Sequence, residues 1–144
     1  MNFGLAALSA GEGAAAAGGR LGGFAGRMRL VPETTRPSIV AELNTPGGQS
    51  YLGRSGFTKK LHPETSSALS EVPESVRSNY HGRCGEVDAV NNAFNAGETR
   101  GTLKGSTMQT AKVRGPNSTA HGLSQEPCGS CNPLLDLLGI TFIP

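Results

Sequence analysis

Tryptophan is absent from this 144-residue chain, and tyrosine and phenylalanine number only two and five. With hydrophobic residues at 36%, only part of the chain can contribute to a packed core. No apolar run approaches the roughly 20 residues that span a bilayer, and no basic flank precedes a continuous hydrophobic stretch. Neither a membrane helix nor a signal peptide is therefore expected, and the chain reads as soluble. Strong charge of either sign is also missing: 13 basic and 11 acidic side chains leave +2, which permits a nucleic-acid partner through a local patch without arguing for one. No internal repeat is evident. Cysteine is limited to three residues, an odd number in a pattern that does not suit a disulfide framework.

Glycine is plentiful, with 21 residues unevenly spread. The first thirty positions hold eight glycines and eight alanines, a composition that raises the cost of ordering. Residues 1–36 read as a linker or a marginal first helix, with Leu21 and Phe24 at roughly helical spacing. Residues 37–144 read as the folded domain. There, Ser38 to Leu43 and Gln49 to Arg54 flank Asn44-Thr45-Pro46-Gly47-Gly48, which predicts a β-hairpin. The polar stretch from Thr58 to Tyr80, broken by Pro63 and Pro73, predicts short helical turns at most.

Val87, Val90 and Phe94 recur at helical spacing until Gly97, so Cys84 and Glu86 fall at a helix start. Gly101 to Arg114 predicts a third strand and the beginning of a loop. A second helix is expected after Pro127, carrying Leu134, Leu135, Leu137 and Leu138 and stopped by Gly139. Ile140 to Ile143 then supplies a short buried strand. The order hairpin, helix, strand, helix, strand implies an α/β sheet with the two cysteine-bearing helix starts meeting at one edge.

All three cysteines belong to one pattern, Cys84-Gly85-Glu86 followed by Pro127-Cys128-Gly129-Ser130-Cys131. Three thiolates at helix N-termini suit a zinc ion, and a tetrahedral ion held by three protein ligands keeps its fourth position for water. Glu86, two residues from Cys84, is placed to move protons rather than to bind the metal. This is the zinc-deaminase arrangement in all-thiolate form, in which hydroxide attacks an amidine carbon and ammonia leaves. Two other readings stand beside it. A structural zinc site needs a fourth ligand, here His62, His81 or His121, and a redox Cys-x-x-Cys would leave Cys84 unexplained.

Substrate candidates surround the motif: Tyr80 by stacking, His81 by hydrogen bonding and Arg83 by pairing with a phosphate, with Asn44 at the end of the first strand. For the three neighbours the alternative is an ordered loop packed on the sheet. For Asn44 it is turn chemistry. Lys59-Lys60 and the group Arg100, Lys104, Lys112 and Arg114 offer a basic surface, although a solvated strand face has the same appearance.

His81-Gly82-Arg83-Cys84-Gly85-Glu86-Val87-Asp88-Ala89 and Pro127-Cys128-Gly129-Ser130-Cys131 resemble the YwqJ-like branch of bacterial polymorphic-toxin deaminases, within the cytidine-deaminase-like superfamily. The resemblance covers roughly residues 37–143. It implies a cytidine-deaminase-like three-layer sandwich with a mixed sheet, an N-terminal hairpin and two zinc-bearing helix N-termini. It also implies Zn2+ on Cys84, Cys128 and Cys131, and Glu86 as the proton shuttle. By the same resemblance the domain is the toxic part of a secreted protein acting in the cytoplasm of a target cell and held in check by a cognate immunity protein. The expected reaction is conversion of cytosine to uracil by hydroxide attack at C4, with adenine a lesser option. Single-stranded DNA is the expected substrate, double-stranded DNA and RNA being alternatives. A free cytidine deaminase of ordinary cytoplasmic location and a non-catalytic zinc-stabilised binding module are the competing functions.

Overall fold

The computed structural model describes residues 20–57, 59–79 and 81–144. The Gly/Ala-rich run before residue 20 lies outside the described residues. Four strands form one mixed sheet: β1 (Ile39–Asn44), β2 (Ser50–Arg54), β3 (Thr107–Lys112) and β4 (Thr141–Phe142), in the order β2-β1-β3-β4. β1 is antiparallel to both β2 and β3, whereas β4 runs parallel to β3 after a helical crossover. The expected hairpin is present, with Val40 opposite Arg54 and Asn44 opposite Ser50. Thr45 closes it: its amide bonds Gln49 O, and its hydroxyl oxygen accepts the Gln49 amide.

Helices cover both faces, making the three-layer α/β sandwich. On one side α1 (Leu21–Met28) lays Leu21, Phe24 and Ala25 against Val40, Ala111 and Val113. On the other, α3 (Gly85–Asn95) packs on β1 and β2, flanked by α2 (Pro63–Ser70) and α5 (Cys131–Leu138). Val87, Val90 and Phe94 of α3 meet Leu43, Met108, Leu134 and Leu138 in the larger core. The strand alternation explains this division, since Ala41 and Leu43 point to α3 while Val40 points to α1.

Between Thr58 and Tyr80 the chain is more regular than its prolines suggest. Pro63 opens an eight-residue helix at a position where its missing N–H costs nothing, and His62 caps it by accepting the Glu64 amide on Nδ1. A single 3-10 turn, Glu74–Val76, follows. A short helix α4 (Arg100–Leu103), closed by reciprocal capping between Thr99 and Thr102, precedes β3 and shortens the strand expected from residue 101.

Glycine at 53 sets the depth at which α3 sits. A β-carbon there would overlap Ala89 N and Gly85 O and lie 2.8 Å from Ala89 Cα, so the helix backbone rests directly on the strand. Asp88 completes the join. It accepts the Arg54 amide at 2.9 Å on Oδ2, and Lys59 Nζ lies 2.9 Å from Oδ1.

Candidate metal and catalytic site

Cys84 is the N-cap of α3, in extended conformation, with no side-chain capping bond. Cys128 and Cys131 sit at the start of α5, where Cys128 O receives the amides of Cys131 and Asn132. The loop between them is pressed against the 3-10 turn so closely that a β-carbon at Gly129 would stand 2.6 Å from Val76 O. Ser130 Oγ accepts the Ser78 amide at 2.7 Å, tying the same two segments.

These constraints bring the three sulfurs within 4.8 Å of one another, with Cys84 Sγ and Cys128 Sγ 3.2 Å apart. Sulfurs around one tetrahedral zinc at the usual bond length are roughly 3.8 Å apart, so the donor set fits such an ion. Its electrostatics point the same way. Cys128 sits far below the ordinary thiol range because Cys131, Cys84 and Ser78 all donate toward its sulfur, while Cys84 is pushed up to about 12 and Cys131 upward as well. One thiolate forms easily and the next two are resisted by the first, a conflict that a bound cation removes.

Among the described residues no histidine or carboxylate joins the three sulfurs. His62 spends Nδ1 on its helix and stacks on Phe94, and His121 Nδ1 accepts the Arg114 amide at 3.0 Å. Three protein donors leave room for a fourth, non-protein ligand, as catalytic rather than structural sites do.

Glu86 lies two residues into α3, 4% exposed, and lines the same cleft as Cys84 and Cys128. Burial raises its pKa to about 7, with Cys128 adding to the shift and a backbone hydrogen bond opposing it. A carboxyl group there can both take and return a proton near neutral pH. The cleft has a volume of about 600 Å³ and lies where β1 begins and β3 ends, walled by Ile39, Ser55 and Gly56 and by the loop Gln125–Cys128.

Of the substrate candidates, Arg83 lines this cleft and is exposed. His81 is half-buried beside Cys128 and does not line it, and burial together with Arg77 lowers its pKa. Tyr80 lies outside the described residues. Asn44 is a correction: it ends β1 opposite Ser50 and Thr107, whereas the cleft opens beside Ile39 at the other end of the strand. The direction of β1 relative to the site could not be inferred from the hairpin alone.

The basic group divides likewise. Arg114 reaches the cleft, but Arg100 and Lys104 precede β3 and stand at its far end. Arg36 stands in the cleft wall, and no motif around it marks it in the sequence. Gly53 did carry a signal, being a glycine inside a strand pattern.

A three-layer α/β sandwich whose helix starts gather three thiols beside a buried glutamate defines a deaminase-like enzyme. The family model for YwqJ-like deaminases matches residues 24–140, and the chain belongs to that family. No curated protein and no solved structure matches the chain.

Proposed function

We propose that this domain is a zinc-dependent deaminase converting cytosine to uracil in nucleic acid, with single-stranded DNA as the first substrate to test. The observation that carries the reading is the trio Cys84, Cys128 and Cys131 with no fourth described protein ligand, of which Cys84 and Cys128 line one cleft together with buried Glu86. Zinc held by the three sulfurs would supply a Lewis acid that makes water nucleophilic at neutral pH. Glu86 takes a proton as the water oxygen adds to C4 and delivers it to ring N3, then takes the proton of the new C4 hydroxyl and passes it to the departing amino nitrogen, so that water and cytosine become uracil and ammonia. Its burial keeps the carboxyl away from competing solvent.

Reaching C4 inside a duplex requires flipping the base at a cost of a few kcal/mol, which favours a single strand. The resemblance to polymorphic-toxin deaminases supports a further part of the proposal. The domain would be delivered within a larger secreted protein, act in the target-cell cytoplasm and be neutralised by a cognate immunity protein. Among the described residues no helix is long and apolar enough to cross a membrane.

Purified protein and Glu86→Ala would be incubated with single-stranded DNA, duplex DNA, RNA and cytidine, reading base conversion by sequencing and mass spectrometry. Conversion in a polymer, reduced about 10³-fold in a variant that still holds zinc, is the expected result. Conversion of cytidine alone, or full activity in the variant, would overturn it.

A further inference from the structure

Arg36, Arg83 and Arg114 all line the cleft that holds Cys84 and Glu86. Three ion pairs are formed among the described residues, and none involves these arginines. Two of them are nevertheless held in place. Arg114 Nη1 donates to Ser38 O at 2.8 Å and to Val113 O at 2.9 Å, and Arg36 Nε donates to Val31 O at 3.3 Å. Carbonyls fix a guanidinium without neutralising it, and each group keeps further N–H donors.

The loop behind them is built in the same way. Arg29 Nη2 donates to Gly115 O at 2.8 Å, again with no ion pair among the described residues, and the fields of Arg29 and Arg114 add to burial in lowering the pKa of His121. Thr110 fastens the returning strand of that loop through Gln125, accepting its amide at 3.0 Å and donating to its carbonyl at 2.6 Å. Against this positive rim stands one exposed carboxylate, Glu126, which forms an ion pair with none of the described residues.

We propose that Arg36, Arg83 and Arg114 form a clamp for the phosphodiester beside the target base, making the substrate a single-stranded polynucleotide rather than a free nucleoside. The inference rests on the deaminase reading for the word substrate, but its physical content is anion binding at the mouth of the cleft. Guanidinium forks match phosphate oxygens in pairs, and gathering unpaired positive charge around an uncharged nucleoside brings no gain.

The test measures binding of a fluorescein-labelled single-stranded DNA oligonucleotide to the intact chain between 50 and 200 mM salt, together with deamination of the same oligonucleotide, of cytidine and of cytidine 5′-monophosphate. Arg36→Gln combined with Arg114→Gln is expected to weaken binding at least tenfold and to flatten the log–log salt slope by about 1.4, two single-strand phosphate contacts at roughly 0.7 each. Because both side chains also brace loops, Arg83→Gln serves as the second variant. Its side chain is exposed and forms no ion pair among the described residues, so a slope reduced by about 0.7 without a change in melting temperature isolates the charge.

Unchanged affinity and slope in both variants would overturn the clamp, and deamination of the oligonucleotide by the parent protein would then leave the deaminase reading standing. Lost binding in the variants, with no deamination of any substrate by the parent, would uphold the clamp and sink that reading instead. Equal kcat/KM on cytidine 5′-monophosphate and the oligonucleotide would move the contact to a terminal phosphate and overturn the polymer assignment.

Discussion

At the hairpin-turn end of the sheet, Arg100 meets Glu64 and Glu71, Tyr51 donates to Glu98 at 2.6 Å, and Thr99 and Thr102 cap one another. At the cleft end, Arg36, Arg83 and Arg114 form no ion pair among the described residues, and three thiols crowd within 4.8 Å. The same strands serve both ends, so the contrast lies in what each end leaves unsatisfied. Charge matched within the molecule contributes a little stability, whereas unmatched charge and crowded thiols remain available to a ligand.

Breaking the cleft end should have the larger consequences, beginning with the sulfurs. Cys131→Ser is expected to drop zinc from stoichiometric to background by elemental analysis and to abolish deamination, since the remaining two donors cannot complete the site. Retention of full zinc by that variant would mean that the ion binds elsewhere.

Gly53→Ala follows. Its new methyl group would overlap the backbone of α3 at Ala89 and Gly85, and urea unfolding should show a loss of about 3 kcal/mol. Gly47→Ala, at the turn, meets nothing nearer than Thr45 Oγ1 at 3.8 Å and should change stability by less than about 0.5 kcal/mol. Similar losses for the pair would erase the distinction between the ends.

Removing the Tyr51 hydroxyl tests the satisfied end. Tyr51→Phe should cost about 1 kcal/mol near neutral pH, because the hydroxyl of this half-buried side chain donates to a carboxylate. The phenol pKa is raised from 10.0 to about 12 by burial and by Glu98, so its contribution is complete below pH 10 and fades between pH 10 and 12. Glu98 is held below its usual 4.5 by Thr102 and Tyr51, and its part of the contact disappears as pH falls through that lowered value. Melting temperatures of the two proteins should therefore differ most at neutral pH and converge by pH 12; a constant gap would show that the hydroxyl contributes by packing alone. Smaller than the loss at Tyr51, Arg100→Ala removes two exposed ion pairs and should shift stability by about 0.5 kcal/mol, less at high salt.

Local chemistry explains which parts of this arrangement were readable in the chain. Cys84, Glu86, Cys128 and Cys131 announce themselves because metal donors need fixed short spacings, and the helices bearing them are marked by apolar periodicity. The hairpin is equally local. Asn44 was misplaced because a strand pattern carries no information on which end of the strand faces the site. Arg36 and Arg114 reach the cleft from segments 78 positions apart, joined only through contacts such as that of Arg114 with Ser38. Pro63 misled for another reason: it marks a helix beginning when a capping residue precedes it, and His62 is an uncommon cap.

The sulfurs come from two stretches of chain with an exposed span, residues 116–119, between them. Cleaving the backbone there would leave Cys84 and Glu86 on one fragment and Cys128 and Cys131 on the other. Neither fragment could complete the donor set, and both would be inactive in isolation. Recombining them would restore a centre that exists only while the two pieces are held together, so that cutting this span converts the enzyme into a detector of molecular proximity.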